Sequence, residues 1–334
     1  MLIYAPPDPS STEAVPQIMK APFRYAASSA VLFLLGACGG GISDGEEPGG
    51  ENPVPLATKA DALRELSVVA ELSGVLEGFS PGGLGGGGTA PKAAQPCQVS
   101  GEEDYGTGTG NYRFNYFDTQ LRPVDYSRTV QRSCSYNGAN AGVLYTVDGF
   151  KESGAASDGS ALRYVLTGSG GSPRKTIEER RSNGSVTYRV EELQLGTLQQ
   201  KTAADGNRER RLVYRYELKD SDQNRILAAL GEDGSPFVIK DLDDVESFYS
   251  GRYAYETSES GCSGVAGVTT LAAITRNDGR VTGGRLQFDA GDKRAVIVFN
   301  ADGTGSVQLN GAAPVALTAQ DISKALAGSD CIPD

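Results

Sequence analysis

The chain of 334 residues has no histidine and no tryptophan, two methionines and five cysteines. Without histidine no side chain has an unperturbed pKa near neutrality, which removes the usual general base and the commonest transition-metal ligand, and leaves a serine triad without its middle member. Without tryptophan there is little material for a sugar-stacking platform, so a glycosidase built on a carboxylate pair is disfavoured. A surplus of positive charge is missing too. Thirty-one basic residues stand against 42 acidic ones, a net charge of −11, which suits neither nucleic acid nor electrostatic docking on anionic lipid. No apolar run is long enough for a permanent membrane-spanning helix, the clearest being about eleven residues, Tyr25 to Leu35.

That run sits inside the most informative stretch of the chain, Met19 to Gly40, MKAPFRYAASSAVLFLLGACGG. Lys20 and Arg24 make a short positive region, the apolar run follows, and Leu35, Gly36, Ala37 and Cys38 close it, the layout of a signal peptide. Residues 1–18 fit no part of such a signal, so Met19 is the expected translation start. Removing residues 1–37 takes away Asp8, Glu13, Lys20 and Arg24 and leaves the net charge at −11.

The tetrad Leu35-Gly36-Ala37-Cys38 resembles the lipobox of bacterial lipoproteins. The resemblance implies cleavage before Cys38, which becomes the mature N-terminus and carries acyl chains such as palmitate; several chains make anchoring effectively permanent. By the same resemblance Gly39, where an aspartate marks inner-membrane retention, favours passage by the lipoprotein-sorting machinery to the outer membrane and its periplasmic face.

Beyond Cys38 the spacing divides the chain into a flexible tether (38–56) rich in glycine, acid and proline, a helix (57–79), a glycine-rich linker (80–96) and a β domain (97–334). The tether has a random-coil reach of roughly 20 Å. The helix opens on a capping signal, Thr58 with Asp61, and its apolar stripe is read as Leu63, Leu66, Val69 or Ala70, Val75 and Leu76, leaving Lys59, Arg64, Glu65 and Glu71 on the other side. A second capping pair, Thr318 and Asp321, opens a short C-terminal helix that Gly328 stops.

Between the helices the apolar period is two. Leu212, Tyr214, Tyr216 and Leu218 alternate with Arg211, Arg215, Glu217 and Lys219, and the same alternation runs through Tyr112, Phe114 and Tyr116, through Leu162, Tyr164 and Leu166, and through Tyr253 and Tyr255. Asp158-Gly159, Asn183-Gly184, Asp205-Gly206, Asp233-Gly234, Asp278-Gly279 and Asp302-Gly303 punctuate these segments as hairpin turns, with Gly170, Gly171 and Gly196 expected to reverse the chain at the other end. The fold class is therefore mainly β: a large curved antiparallel meander of about twelve to sixteen strands forming a half-barrel, barrel or sandwich, with one N-terminal amphipathic helix and a short C-terminal helix.

Four cysteines remain beside Cys38: Cys97, Cys134, Cys262 and Cys331. An even set in an exported chain argues for two disulfides, and of the three pairings Cys97 with Cys134 and Cys262 with Cys331 each close one local half of the domain. No pair has the CxxC spacing of redox or zinc sites.

Motifs for catalysis are weak throughout. Ser172-Pro173-Arg174-Lys175 has the Ser-x-x-Lys spacing of penicillin-recognising enzymes but follows two glycines and leads into a strand instead of opening a helix. Asp220, Asp222 and Asn224 begin like a calcium loop, yet Arg225 stands where glycine is required and Gly231 where a bidentate glutamate belongs, so the reading is a solvated turn. Asp241, Asp243, Asp244 and Glu246 form an acidic group on a connection. Gly106, Gly108 and Gly110 alternate without the spacing of a dinucleotide site and read as a turn. No catalytic residue, metal site or cofactor is assigned. The strand tyrosines are the candidate ligand contacts, with Tyr164, Tyr188, Tyr214 and Tyr216 as the set to test.

The long helix, the glycine-rich approach to Cys97 and the closing pattern GGRLQFDAGDKRAVIVFNADGTGSVQLNG resemble β-rich lipoproteins of Gram-negative bacteria, a group that lends no activity. The expectation is an outer-membrane lipoprotein with a binding or structural role, its partners the membrane through its acyl chains and an apolar ligand or envelope protein, with no nucleic acid. A carrier or chaperone of lipid or another apolar ligand, using a concave sheet face, is the alternative, and a carboxylate-based hydrolase a distant third.

Overall fold

A computed structural model of the protein describes residues 52–75, 92–118, 120–156, 161–167, 175–232, 234–242, 246–258, 260–328 and 331. Cys38 and its signal, Asp158-Gly159, Gly170-Gly171, Ser172, Asp243 and Asp244 lie outside the described residues.

The chain begins with helix α1 (Lys59–Val75) and continues through strands β1 (Lys92–Pro96), β2 (Ser100–Arg113), β3 (Leu121–Asn137), β4 (Val143–Ala156), β5 (Ala161–Thr167), β6 (Lys175–Arg180), β7 (Val186–Thr202) and β8 (Arg208–Asp220). There follow β9 (Arg225–Leu230), β10 (Phe237–Leu242), β11 (Glu246–Thr257), β12 (Cys262–Asn277), β13 (Arg280–Ala290), β14 (Lys293–Phe299), β15 (Gly305–Leu309), β16 (Val315–Leu317) and helix α2 (Ala319–Leu326). All sixteen strands belong to one antiparallel sheet. Its path runs from β1 to β16 without joining those two strands, so hydrogen bonding does not close it into a barrel among the described residues.

Two rows of the meander are each made of two strands laid end to end. β5 and β6 both lie between β4 and β7, and β9 and β10 both lie between β8 and β11. The second break is a six-residue excursion in which Gly231 takes φ +69° and the Glu232 and Ser235 backbones bond each other in both directions. Gly234 therefore lies at a break in a row and does not join neighbouring strands, while Asp233 is outside the described residues. Asn183-Gly184, Asp205-Gly206, Asp278-Gly279 and Asp302-Gly303 are hairpin turns as expected, each glycine at positive φ.

Register fixes which side chains share a face. Leu198 pairs with Leu212, Gly196 with Tyr214, Tyr214 with Leu230, Leu230 with Tyr253, and Tyr253 with Ala266. Because alternation is strict, this row continues through Phe288, Ile297 and Val307 as one buried apolar face. α1 packs on that face with Ala62, Leu66, Val69 and Leu72, joined by Val54 and Leu56 before it and by Ile322 and Ala325 of α2. Each fully buried Leu, Phe or Ile is worth about 1.5–3 kcal/mol relative to exposure, so this face supplies most of the drive to fold.

Several elements depart from expectation. Val54 and Leu56 belong to the core and not to a solvated tether, and Pro53 forms a parallel bridge with Val265, because the end of β12 extends beyond β13 and leaves an edge to pair. Lys92–Pro96, expected as linker, is strand β1. Gly196 lies in the middle of β7, where a Cβ would come within 2.6 Å of the Val213 carbonyl oxygen; it permits close cross-strand approach and does not turn the chain. Gly106, Gly108 and Gly110 likewise lie inside β2, and the Tyr126 and Tyr112 rings occupy the space that side chains at Gly108 and Gly110 would need. Phe114 and Tyr116 come after β2, in the turn, where Phe114 is buried with Val124 and Ala156.

Both disulfides pair as expected, Cys97 with Cys134 and Cys262 with Cys331, with Cα atoms 5.5 and 5.2 Å apart. The second holds the chain end after α2, where the Cys331 carbonyl also accepts the Thr257 hydroxyl.

Candidate functional site

Beyond the part covered by α1, the same sheet face changes character. On β7, Glu192 and Gln194 sit across from Leu218 and Tyr216 of β8, and on the other side Glu192 pairs with Lys175 of β6. The Lys175 Nζ donates to Glu192 Oε2 at 3.2 Å and the Gln194 Nε2 to Glu192 Oε1 at 3.2 Å, so both carboxylate oxygens are engaged although the side chain is buried. Tyr214 and Tyr216 stand beside this group. Burial, reinforced by the Glu192 charge, pushes both phenols well above their ordinary range, so both hydroxyls keep their protons. The Tyr216 hydroxyl is buried and has no hydrogen-bond partner among the described residues, whereas a buried hydroxyl ordinarily finds one.

The four tyrosines expected to act together are separated by the fold. Tyr214 and Tyr216 are neighbours on one face. Tyr188 lies at the far end of β7, where its hydroxyl donates to Asp220 Oδ2 at 3.0 Å. Tyr164 occupies β5 opposite Leu198 and Ser153 by backbone register, and its side chain is outside the described residues. The structure thus brings two of the four together and gives Tyr188 another task.

Asp220 is a turn residue, but a buried one. Its Oδ1 accepts the Asp222 and Asn224 backbone N–H groups at 2.8 and 2.9 Å, and its Oδ2 accepts Tyr188 and the Asn224 amide. Three of these four bonds come from the turn and the fourth from Tyr188 of β7. Asp241 is held by Arg210 at 2.5 Å, on the same sheet face as Leu212 and Ile239. Lys175 begins a strand, not the second turn of a helix, and Ser172 lies outside the described residues. Among the described residues no group of three acidic or cysteine side chains is arranged to hold a metal ion.

One site was misread in sequence. Glu65, expected on the exposed side of α1, is fully buried, and its carboxylate bridges two tyrosines of β11: the Tyr255 hydroxyl donates to Oε1 at 2.7 Å and the Tyr253 hydroxyl to Oε2 at 2.8 Å. The Arg64 Nε approaches Oε1 at 3.3 Å. Burial drives the Glu65 carboxyl up, the two hydroxyls and Arg64 pull it down, and burial wins. A signal was present in the spacing. Glu65 falls three residues after Ala62 and four before Val69, inside the stripe 62, 66, 69, 72 that is buried, and only its charge argued otherwise.

No protein-family model and no curated protein matches this chain.

Proposed function

We propose that the protein is an exported lipoprotein of the outer membrane, anchored through acylated Cys38 and working as a binding or structural protein through the polar part of its inner sheet face. The observation that carries the reading is the use of cysteine: four of the five are joined in two disulfides, which suits an oxidising compartment and leaves Cys38, in its lipobox-like setting, as the one cysteine outside those bridges. The largely buried polar cluster of Tyr214, Tyr216, the Lys175–Glu192 pair and Gln194 favours a polar or amphipathic ligand over a purely apolar one, because the apolar part of the face is already filled by α1. A carboxylate-based hydrolase gains no support, since Glu65 and Glu192 each have both oxygens bound by neighbouring donors.

Fractionation with mass spectrometry of the protein extracted in mild detergent tests the reading. The expected species begins at Cys38, carries acyl mass and sits in the outer-membrane fraction, and Cys38→Ser accumulates unprocessed precursor. A soluble protein retaining Met19 and an unmodified Cys38 would defeat it. Native mass spectrometry of the same sample detects a co-purifying ligand, and Tyr216→Phe is expected to lose it.

A further inference from the structure

An acid in the middle of an apolar helix face is a costly choice, since burying a carboxylate forfeits several kcal/mol of hydration and an apolar residue of similar volume often stabilises such a position. α1 carries that acid at Glu65, and its partners on the sheet are the Tyr253 and Tyr255 hydroxyls, two residues apart on β11. The rings of these tyrosines lie stacked, 6.5 Å apart and 14° from parallel, so the two donors form a single fixed receptor for one carboxylate. The other charged and titratable groups around it are Arg64, at 3.3 Å on the same helix, and Asp61, which meets Arg64 at 3.3 Å. The rest of the facing surface, from β12 to β15, is apolar. Lys59 of α1 pairs with Asp321 of α2 at 2.8 Å, roughly nine ångströms along the helix from Glu65.

We propose that α1 is a releasable cover over the apolar sheet face, with the Glu65 carboxyl between Tyr253 and Tyr255 as its latch, docked more firmly as pH falls and loosened as pH rises. The sign follows from the ionisation of Glu65. Its folded pKa is raised above the ordinary 4.5, so the neutral form is the one the docked state prefers, and that preference is fully present below 4.5 and lost as pH rises through the folded value. Released, α1 uncovers Leu230, Val268, Phe288, Ile297 and Val307 together with the two tyrosines, an apolar floor continuous with the polar surface beside Tyr214. The carrier activity that the packed state forbids becomes available in the open one.

Hydrogen exchange of the full mature protein, read by mass spectrometry from pH 5 to 8 and corrected for intrinsic rates, tests this. Amides of α1 are expected to exchange faster than those of β12 and β13, with their opening equilibrium rising with pH by about tenfold for each unit by which the carboxyl is raised. Glu65→Gln, which cannot ionise, flattens that dependence while β12 and β13 are unchanged. If Glu65→Gln does not fold, Tyr253→Phe serves instead: it removes one donor to the ionised form and steepens the rise. The proposal is overturned if α1 exchanges only at the rate of β12 at every pH, if Glu65→Gln keeps the wild-type slope, or if Tyr253→Phe leaves it unchanged.

Discussion

Removing the Cys262–Cys331 bridge should cost more than removing any single core contact. The bridge closes a loop with a sequence separation of 69, which corresponds to about 4.4 kcal/mol of unfolded-state entropy at 25 °C; Cys97–Cys134, with a separation of 37, corresponds to about 3.8 kcal/mol. These values treat the unlinked chain as random and are upper limits. Ile322 and Ala325 of α2 are buried in the core, so the native state is expected to survive loss of the bridge and the effect to fall on the balance between folded and unfolded chains. The double variant Cys262→Ser/Cys331→Ser, which leaves no stray thiol, is expected to lower the urea midpoint at unchanged slope and to reduce Tm by roughly 9–18 °C for a domain of this size. A non-reducing peptide map of the parent protein should recover both pairs. A loss below about 1 kcal/mol, or a map joining Cys97 to Cys262, would refute the loop-closure reasoning.

Other consequences can be measured on single variants. Tyr216→Phe deletes a buried hydroxyl that has no partner among the described residues, so urea unfolding should show no loss of stability, whereas Tyr255→Phe deletes a bond to a carboxylate and should cost about 1.5–3 kcal/mol. Lys175→Met leaves the buried Glu192 without its cation and should destabilise by about 3 kcal/mol, the low end of the range for breaking a buried pair because Lys175 is itself partly exposed. Gly196→Ala forces a methyl group against the Val213 carbonyl and should cost about 1–3 kcal/mol in the same assay. The Lys59 ammonium, with hydrogen bonds from the Thr318 backbone and side chain, holds the Asp321 carboxyl down to about 2. A depressed carboxyl stabilises above its unfolded value and ceases to do so as pH falls through the folded one, so the contact between α1 and α2 should persist at pH 4 and fail toward pH 2. Lys59→Met should move that acid transition upward in pH, as followed by far-ultraviolet circular dichroism.

The parts of the fold that were legible in sequence are those set by local chemistry. Thr58 and Asp61 bond each other's backbone N–H groups as a capping box, and Thr318 and Asp321 do the same, because these contacts lie within four residues of each other. The alternation in Arg211–Lys219 put Leu212, Tyr214 and Leu218 on the buried face for the same reason: a strand's period is two wherever it sits. Glycine was less legible. In Asp278-Gly279 it supplies a positive φ, while at Gly108, Gly110 and Gly196 it supplies empty space for a neighbour's ring or carbonyl, and only the neighbouring strand tells these uses apart.

The sequence by itself determined the even set of four cysteines beside Cys38, two capped helices and a long antiparallel meander, since composition, spacing and turn residues act over a few positions. The tertiary structure alone decided that Val54 and Leu56 are core, that Tyr188 is consumed by Asp220 while Tyr214 and Tyr216 stay together, and that Glu65 is drawn inside. Each of those outcomes depends on a partner far away in the chain, 188 residues in the case of Glu65 and Tyr253, and a charge near the middle of a helix reads as surface until the strand that binds it is in place.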